Sequence, residues 1–409
     1  MSTSAEDTPR YQSIDALQGR LARDVFGDRE SAKKAAGRAL GTFVELITFY
    51  LIRDWDLEEG LAIERGLPEY GNSGITHNVE FSLHPAVASR AVPVIDPEKT
   101  LTTRALVAAC KKYELELGDV EFRKTELLKK GILRHAAIFA SGSDWFWTAR
   151  MVGVQKEFLA TKLSERPYAM FECKRVGIEE GQKKGPQTIE KAKQGAYVAR
   201  AVSGLQRVPL KNGSVAAVIE QSDGTIRTFD DYYKFLRDAI DTKNKKSLEN
   251  VVLTVGVVSN HGNWFTAETQ NKEMKVLAQS YDWLLFLTDG GLAEFIEDVL
   301  WGSREDMSAT RKAVLDKFKG GGSESFTKVT LSAAADAELT RYFREEQPWD
   351  RWFNVIAPAP SRTEDAVDPN PGGEPRSTEE ELVVEAVSLT ELKRDLERLR
   401  EIHRLGVQS

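Results

Sequence analysis

Tyr168-Ala169-Met170-Phe171-Glu172-Cys173-Lys174-Arg175-Val176-Gly177 is the stretch on which the reading of this chain turns. Its apolar opening predicts a buried strand over residues 167–176, and side chains along a strand point alternately to its two faces. Glu172 and Lys174 therefore share a face, an acid and a base held side by side. Two other Glu-x-Lys triplets, Glu273-Met274-Lys275 and Glu391-Leu392-Lys393, fall in predicted helices, where positions i and i+2 do not face each other. Only the strand copy has the geometry for joint chemistry.

Working outward, residues 251–258 are an apolar, β-branched run of the kind found in a buried strand, and residues 283–288 are another. The pattern predicts further strand over 133–140, and helices over 30–54, about 149–163, 185–205, 267–280 and 291–300. Pro186 sits where a helix's first turn has no use for an N–H. Helices alternating with buried strands give an α/β (α+β) class, a central mixed β-sheet flanked by helices with additional helical segments. Residues 1–29 are expected to form a helical extension to a body spanning 30–350, and 55–130 show no pattern firm enough to assign. Residues 357–378 are Pro, Gly, Ser and acid, the composition of a disordered linker. In the segment 379–409 that follows, Ser388 and Glu391 make a capping box. There Leu389, Leu392, Leu396, Leu399 and Ile402 line one helix face, which packs either on its own domain or on a second copy.

With 409 residues and 41% apolar content the chain can bury a substantial core, which excludes a disordered protein or a small disulfide scaffold. The 56 basic and 63 acidic residues leave a charge of −7, so no global nucleic-acid signal exists. Between Arg362 and Glu385 eight acids oppose two arginines, so that stretch carries −6 and the rest of the chain is nearly neutral. Cys110 and Cys173 are too few for a disulfide framework or a zinc cluster and suit a reducing compartment. No apolar run approaches the roughly 20 residues that cross a bilayer, and the polar start Met1-Ser2-Thr3-Ser4-Ala5-Glu6-Asp7 does not resemble a secretory signal. A cytoplasmic location is expected. The five histidines lack zinc spacing, and Gly320-Gly321-Gly322-Ser323 lacks the lysine that would make it a phosphate cradle.

Beside Glu172 and Lys174, three features carry chemistry. A carboxylate can bind a hard divalent ion while an ammonium orients water or stabilises a charged phosphorane, but such an ion needs further oxygen ligands. Asp144, in Ser141-Gly142-Ser143-Asp144-Trp145-Phe146-Trp147, is the candidate upstream acid, although an ordinary turn aspartate would read the same way. Glu45 is the only charged residue between Arg38 and Arg53 in a helix apolar on nearly every side. It must be paired, neutralised or metal-associated; a structural salt bridge would satisfy this equally. From Lys174 to Lys211 nine basic residues face three acids, and Gln187, Lys191 and Gln194 form one stripe of the predicted helix, next to Lys183 and Lys184. This patch suits phosphate contacts, or else it is a solvated face.

Glu45 on a helix, Asp144 after a strand, and Glu172-Cys173-Lys174 on the next core strand followed by a helix together resemble the PD-(D/E)XK nuclease superfamily, and most closely a type II restriction endonuclease. The resemblance follows element order over roughly residues 30–300, and the segment around Glu172 is its specific part. It implies a restriction-endonuclease-like core that hydrolyses double-stranded DNA with Mg2+, bound by Asp144 and Glu172. It further implies Lys174 at the attacking water, Glu45 near the metal, and a glutamine-bearing helix after Lys174 near the site. Two departures stand out: Ser143 occupies the motif's proline position, and the 28 residues from Asp144 to Glu172 leave Glu157 as a rival upstream acid. Cutting a twofold palindrome on both strands is matched most simply by a homodimer. A repair or other DNA-processing nuclease of the same fold, and a non-catalytic DNA-binding protein with a Glu172–Lys174 ion pair, are the alternatives.

Overall fold

Seven strands cross one mixed sheet in the order in which the chain makes them: β1 (Leu61–Arg65), β2 (Val79–Leu83), β3 (Ala169–Arg175), β4 (Leu253–Asn260), β5 (Trp283–Thr288), β6 (Phe353–Pro358) and β7 (Val384–Val387). The pairs β1–β2 and β2–β3 are antiparallel, β3–β4 and β4–β5 are parallel, and β5–β6 and β6–β7 are antiparallel again. The computed structural model describes residues 14–27, 31–71, 73, 75, 77–96, 99–152, 156–175, 206–211, 214–221, 223–260, 280–302, 304–319, 326–358 and 384–404. The expected helix over 185–205, all but the last residue of the one over 267–280, the five basic and glutamine candidates Lys183, Lys184, Gln187, Lys191 and Gln194, and residues 359–378 of the expected 357–378 linker lie outside them; Ala357 and Pro358, expected to begin that linker, instead end β6.

The central strands are apolar throughout because they are covered on both sides, as buried parallel strands must be; Leu253, Val255, Val257, Leu284, Leu285 and Phe286 are all inaccessible. Helix α2 (Ala32–Asp54) lies against β3 and β4 and is covered in turn by α1 (Ile14–Asp24), α3 (Asp289–Leu300) and α4 (Ala333–Glu346). By length and composition α2 could cross a bilayer, with 23 residues and a mean hydropathy of 1.3 over an 18-residue window. Its apolar sides are instead spent on the core, where Phe43, Leu46, Ile47, Phe49 and Leu51 are inaccessible.

Between β2 and β3 the chain builds a second body, a five-stranded antiparallel sheet with its own core of Val92, Leu106, Phe139, Trp147 and Phe158. Two expectations fail here. The single strand over 133–140 is two strands, Ile132–Arg134 and Ala137–Ser141, in different sheets, broken where Ala136 takes a positive φ of 45°. The helix over 149–163 is instead a strand pair, Trp145–Val152 and Glu157–Ser164, in full antiparallel register. The segment is rich in helix formers, but propensity yields when a sheet buries alternate residues, as it does Phe158 and Ala160 in the core of this body.

At the far edge, β7 pairs with β6 and leads into α5 (Leu389–Arg404). The stripe Leu389, Leu392, Leu396, Leu399 and Ile402 is buried in the main core of its own chain.

Candidate active site

The β2–β3 ladder pairs Leu83 with Ala169, Ser82 with Met170 and Phe81 with Phe171, and stops there. Past that point β3 stays on β4, with Glu172 beside Gly256 and Lys174 beside Val258, while β2 stays on β1, with Val79 beside Arg65. The two strands thus open into a fork, Glu80 on one arm and Glu172 and Lys174 on the other. Extending either register places Glu64, Glu80 and Glu172 in one row across β1, β2 and β3. Side-chain alternation holds on β3: Cys173 points the other way and meets Thr48 of α2, Sγ to Oγ1 3.4 Å. Gly256 has no room for a side chain, since a Cβ there would stand 2.8 Å from Tyr281 and 2.9 Å from Leu284.

A second ammonium enters from far along the chain. Lys328, in the turn before the Thr330–Ser332 strand, is 4% exposed. Its Nζ lies 2.6 Å from Glu45 Oε2 and 3.1 Å from Glu64 Oε1, and it also pairs with Glu80 Oε2. Lys174 Nζ is 3.8 Å from Glu172 Oε2. Glu64 reaches Lys328 from a left-handed backbone, φ 50°, a conformation that costs a side-chain-bearing residue about 1 to 3 kcal/mol and persists where the surroundings impose it.

Among the described residues, four carboxylates and two ammoniums do not balance. Burial pushes the Glu172 carboxyl up to about 8; Lys174 pulls it back, and the Glu80 charge adds to the rise. Its Oε1 is buried with no hydrogen-bond partner. Burial and the Glu80 charge likewise raise Glu45, against the pull of Lys328. Burial opposes the charge on Lys328, yet Glu45 and Glu80 outweigh it and hold the ammonium well above the usual lysine range. Crowded carboxylates of this kind demand a proton or a cation. All the donors are oxygen, the set preferred by Mg2+ or Ca2+ rather than by softer metals. No group of three or more His, Cys, Asp or Glu among the described residues is spaced to hold a metal as it stands; Glu45, Glu64 and Glu80 are gathered on the Lys328 ammonium instead.

Of the residues singled out in the sequence, Glu172 pairs with Lys174, and Glu45 is linked to them through Lys328 and Glu80; Asp144 is not part of the group. Asp144 is exposed in the turn between Ala137–Ser141 and Trp145–Val152 on the other sheet, where it accepts a 2.9 Å hydrogen bond from Ser143 Oγ. Its carboxylate has no contact with Glu172 or Lys174 among the described interactions. Glu157, the rival, is exposed on that same sheet, paired with Val152 and Pro93. The acid beside Glu172 is Glu80. Its signal was local: Val79-Glu80-Phe81-Ser82-Leu83 alternates apolar and polar, the mark of a half-buried strand. Lys328 had none, since its partner Glu45 lies 283 residues away. No protein-family model matches the chain, and neither a curated protein nor a solved structure matches it.

Proposed function

We propose that the chain is a Mg2+-dependent, site-specific endodeoxyribonuclease with a restriction-endonuclease-like core, hydrolysing phosphodiester bonds of double-stranded DNA as a type II restriction enzyme does. The observation that carries this reading is the fork. An acid-bearing helix, an acid-bearing strand and a Glu-x-Lys strand follow one another in the chain, and where two strands part Glu80 stands between Glu172 and the Lys328–Glu45 pair. In this reading Glu80 takes the place first given to Asp144.

Glu80 and Glu172 would hold the ion, with Glu45 supporting it or its water shell. The bound ion would supply Lewis-acid stabilisation of the charge that develops on the phosphoryl oxygens. Lys174, whose side chain is 30% exposed beside a nearly inaccessible Glu172, can reach a substrate while tied to the site. It is held 3.8 Å from Glu172, and its role is to orient the attacking water and face the developing negative charge. The stretch holding Lys183, Lys184, Gln187, Lys191 and Gln194 directly follows β3, where basic and amide side chains would meet the DNA backbone. Two strand cuts at a palindrome call for a homodimer.

The test is incubation of the purified chain with phage DNA and Mg2+, read as discrete fragments, beside Lys174→Ala. The expected result is site-specific cutting by the native chain and none by the variant, with DNA binding retained. Absence of Mg2+-dependent cutting, or a variant within about tenfold of the native rate when a general catalytic group is worth 100-fold or more, would overturn the reading.

A further inference from the structure

We propose that Lys328 is the resident cation of the Glu45–Glu64–Glu80 site, and that a divalent ion binds by displacing its ammonium. The inference rests on the nuclease reading only for the identity of the physiological ion.

An ammonium and a metal ion compete for the same thing here. Lys328 Nζ stands where three carboxylates converge, on Oε2 of Glu45, Oε1 of Glu64 and Oε2 of Glu80. A hard divalent ion coordinates oxygens at about 2.0 to 2.6 Å, so it cannot share that point with the ammonium. Glu172 shows that the site is built to take more charge than Lys328 provides. Its carboxylate is 2% exposed, lies against Glu80, and keeps Oε1 without a partner. Among the described residues four carboxylates face Lys174 and Lys328, so the fully ionised group is two charges short of neutral.

The turn that carries Lys328 is fastened independently of its side chain. The Thr327 hydroxyl accepts from the backbone N–H of Thr330 at 2.9 Å and of Val329 at 3.2 Å, the Val329 carbonyl accepts from the His135 N–H at 2.8 Å, and Phe326 bridges to Leu331. The backbone can therefore stay in place while the side chain swings on its flexible four-carbon stem. In the absence of metal the lysine holds the carboxylates together; in its presence the same side chain is released and becomes accessible.

The experiment uses the full chain without DNA. Ca2+ is titrated calorimetrically into the native protein and into Lys328→Met, and in parallel the native protein is treated with an amine-acetylating reagent, with and without saturating Ca2+, and analysed by mass spectrometry. Removing the competitor should tighten Ca2+ binding by about tenfold, within the range typical of coupled sites. Ca2+ should raise acetylation of Lys328 severalfold, while Lys129, exposed on the other body, serves as the unchanged standard. Should the methionine variant fail to fold, the acetylation result on the native chain decides alone. Ca2+ binding with Lys328 still protected overturns the inference and leaves the nuclease reading intact. Binding to neither chain overturns both the inference and the metal assignment, whereas DNA cleavage without displacement sinks the inference only.

Discussion

Helix α2 carries two charges into the interior, Glu45 near its middle and Arg53 at its end, and the fold treats them in opposite ways. Around Arg53 the circuit closes. Arg53 lies 2.5 Å from Asp336 and 3.2 Å from Glu58, Arg150 lies 3.1 Å from the same Glu58, and the Tyr50 hydroxyl donates to Asp336 at 2.8 Å. Two cations meet two anions, and burial lowers the pKa of neighbouring His135, so it adds no third cation at neutral pH. Around Glu45 the circuit stays open among the described residues, with four acids against two lysines and the Glu172 Oε1 without a hydrogen-bond partner. A balanced buried network is complete as architecture. An unbalanced one on the same helix is a vacancy in charge, and a ligand of opposite sign is its natural complement.

That contrast can be broken by substitutions on either side. The largest expected effect is on the open side: Glu80→Gln keeps the shape and removes the charge, and Mg2+-dependent cleavage should fall by about 100- to 1,000-fold, with no loss of melting temperature in metal-free buffer. Cleavage that survives Glu80→Gln would remove Glu80 from the site. On the closed side, Arg53→Met strands Asp336 and Glu58, and urea denaturation should show a loss of about 3 kcal/mol. Turnover of the protein that remains folded should be unaffected; a specific loss of turnover would mean that the two networks are not separate.

The pH dependence sharpens the comparison. A carboxyl whose folded pKa is about 8, against roughly 4.3 in the unfolded chain, contributes stability that is fully present below the unfolded value and lost as pH rises through the folded one. Metal-free protein should therefore lose stability between pH 5 and 8, by about 3.5 kcal/mol from this group, and Glu172→Gln should flatten the slope. Equal slopes in both proteins would contradict the assignment. The smallest effect is expected from Asp144→Ala, an exposed turn substitution worth less than about 0.5 kcal/mol; cleavage should stay near the native rate, and its loss would restore Asp144 as the upstream acid.

What could be read from residues alone followed the length of the physical signal. Helix α2, the strands β3, β4 and β5, and the stripe of α5 are long or uniformly apolar, and their periodicity survives any reasonable packing. The pair Trp145–Val152 and Glu157–Ser164 was misread because Ala149, Met151, Gln155, Leu159 and Ala160 favour helix individually, while the sheet that overrules them is assembled from distant segments. Glu45, Glu172 and Lys174 were legible because each interrupts an apolar surround. Glu80 sits in a five-residue strand within a stretch too short-patterned to assign, and Lys328 in Thr327-Lys328-Val329 is one lysine among many until the fold buries it.

The second body leaves the main sheet after Leu83 and returns before Ala169, and those two residues are paired neighbours at the end of β2 and β3 remote from the fork. Two adjacent antiparallel strands can be joined there by a turn of a few residues. The excursion of some 80 residues is thus attached at its narrow end, yet it also braces the site: its strand Ile132–Arg134 pairs with Thr330–Ser332, and its His135 N–H holds the Val329 carbonyl beside Lys328. A change in that excursion would therefore be felt at the turn that carries Lys328 as well as at the join.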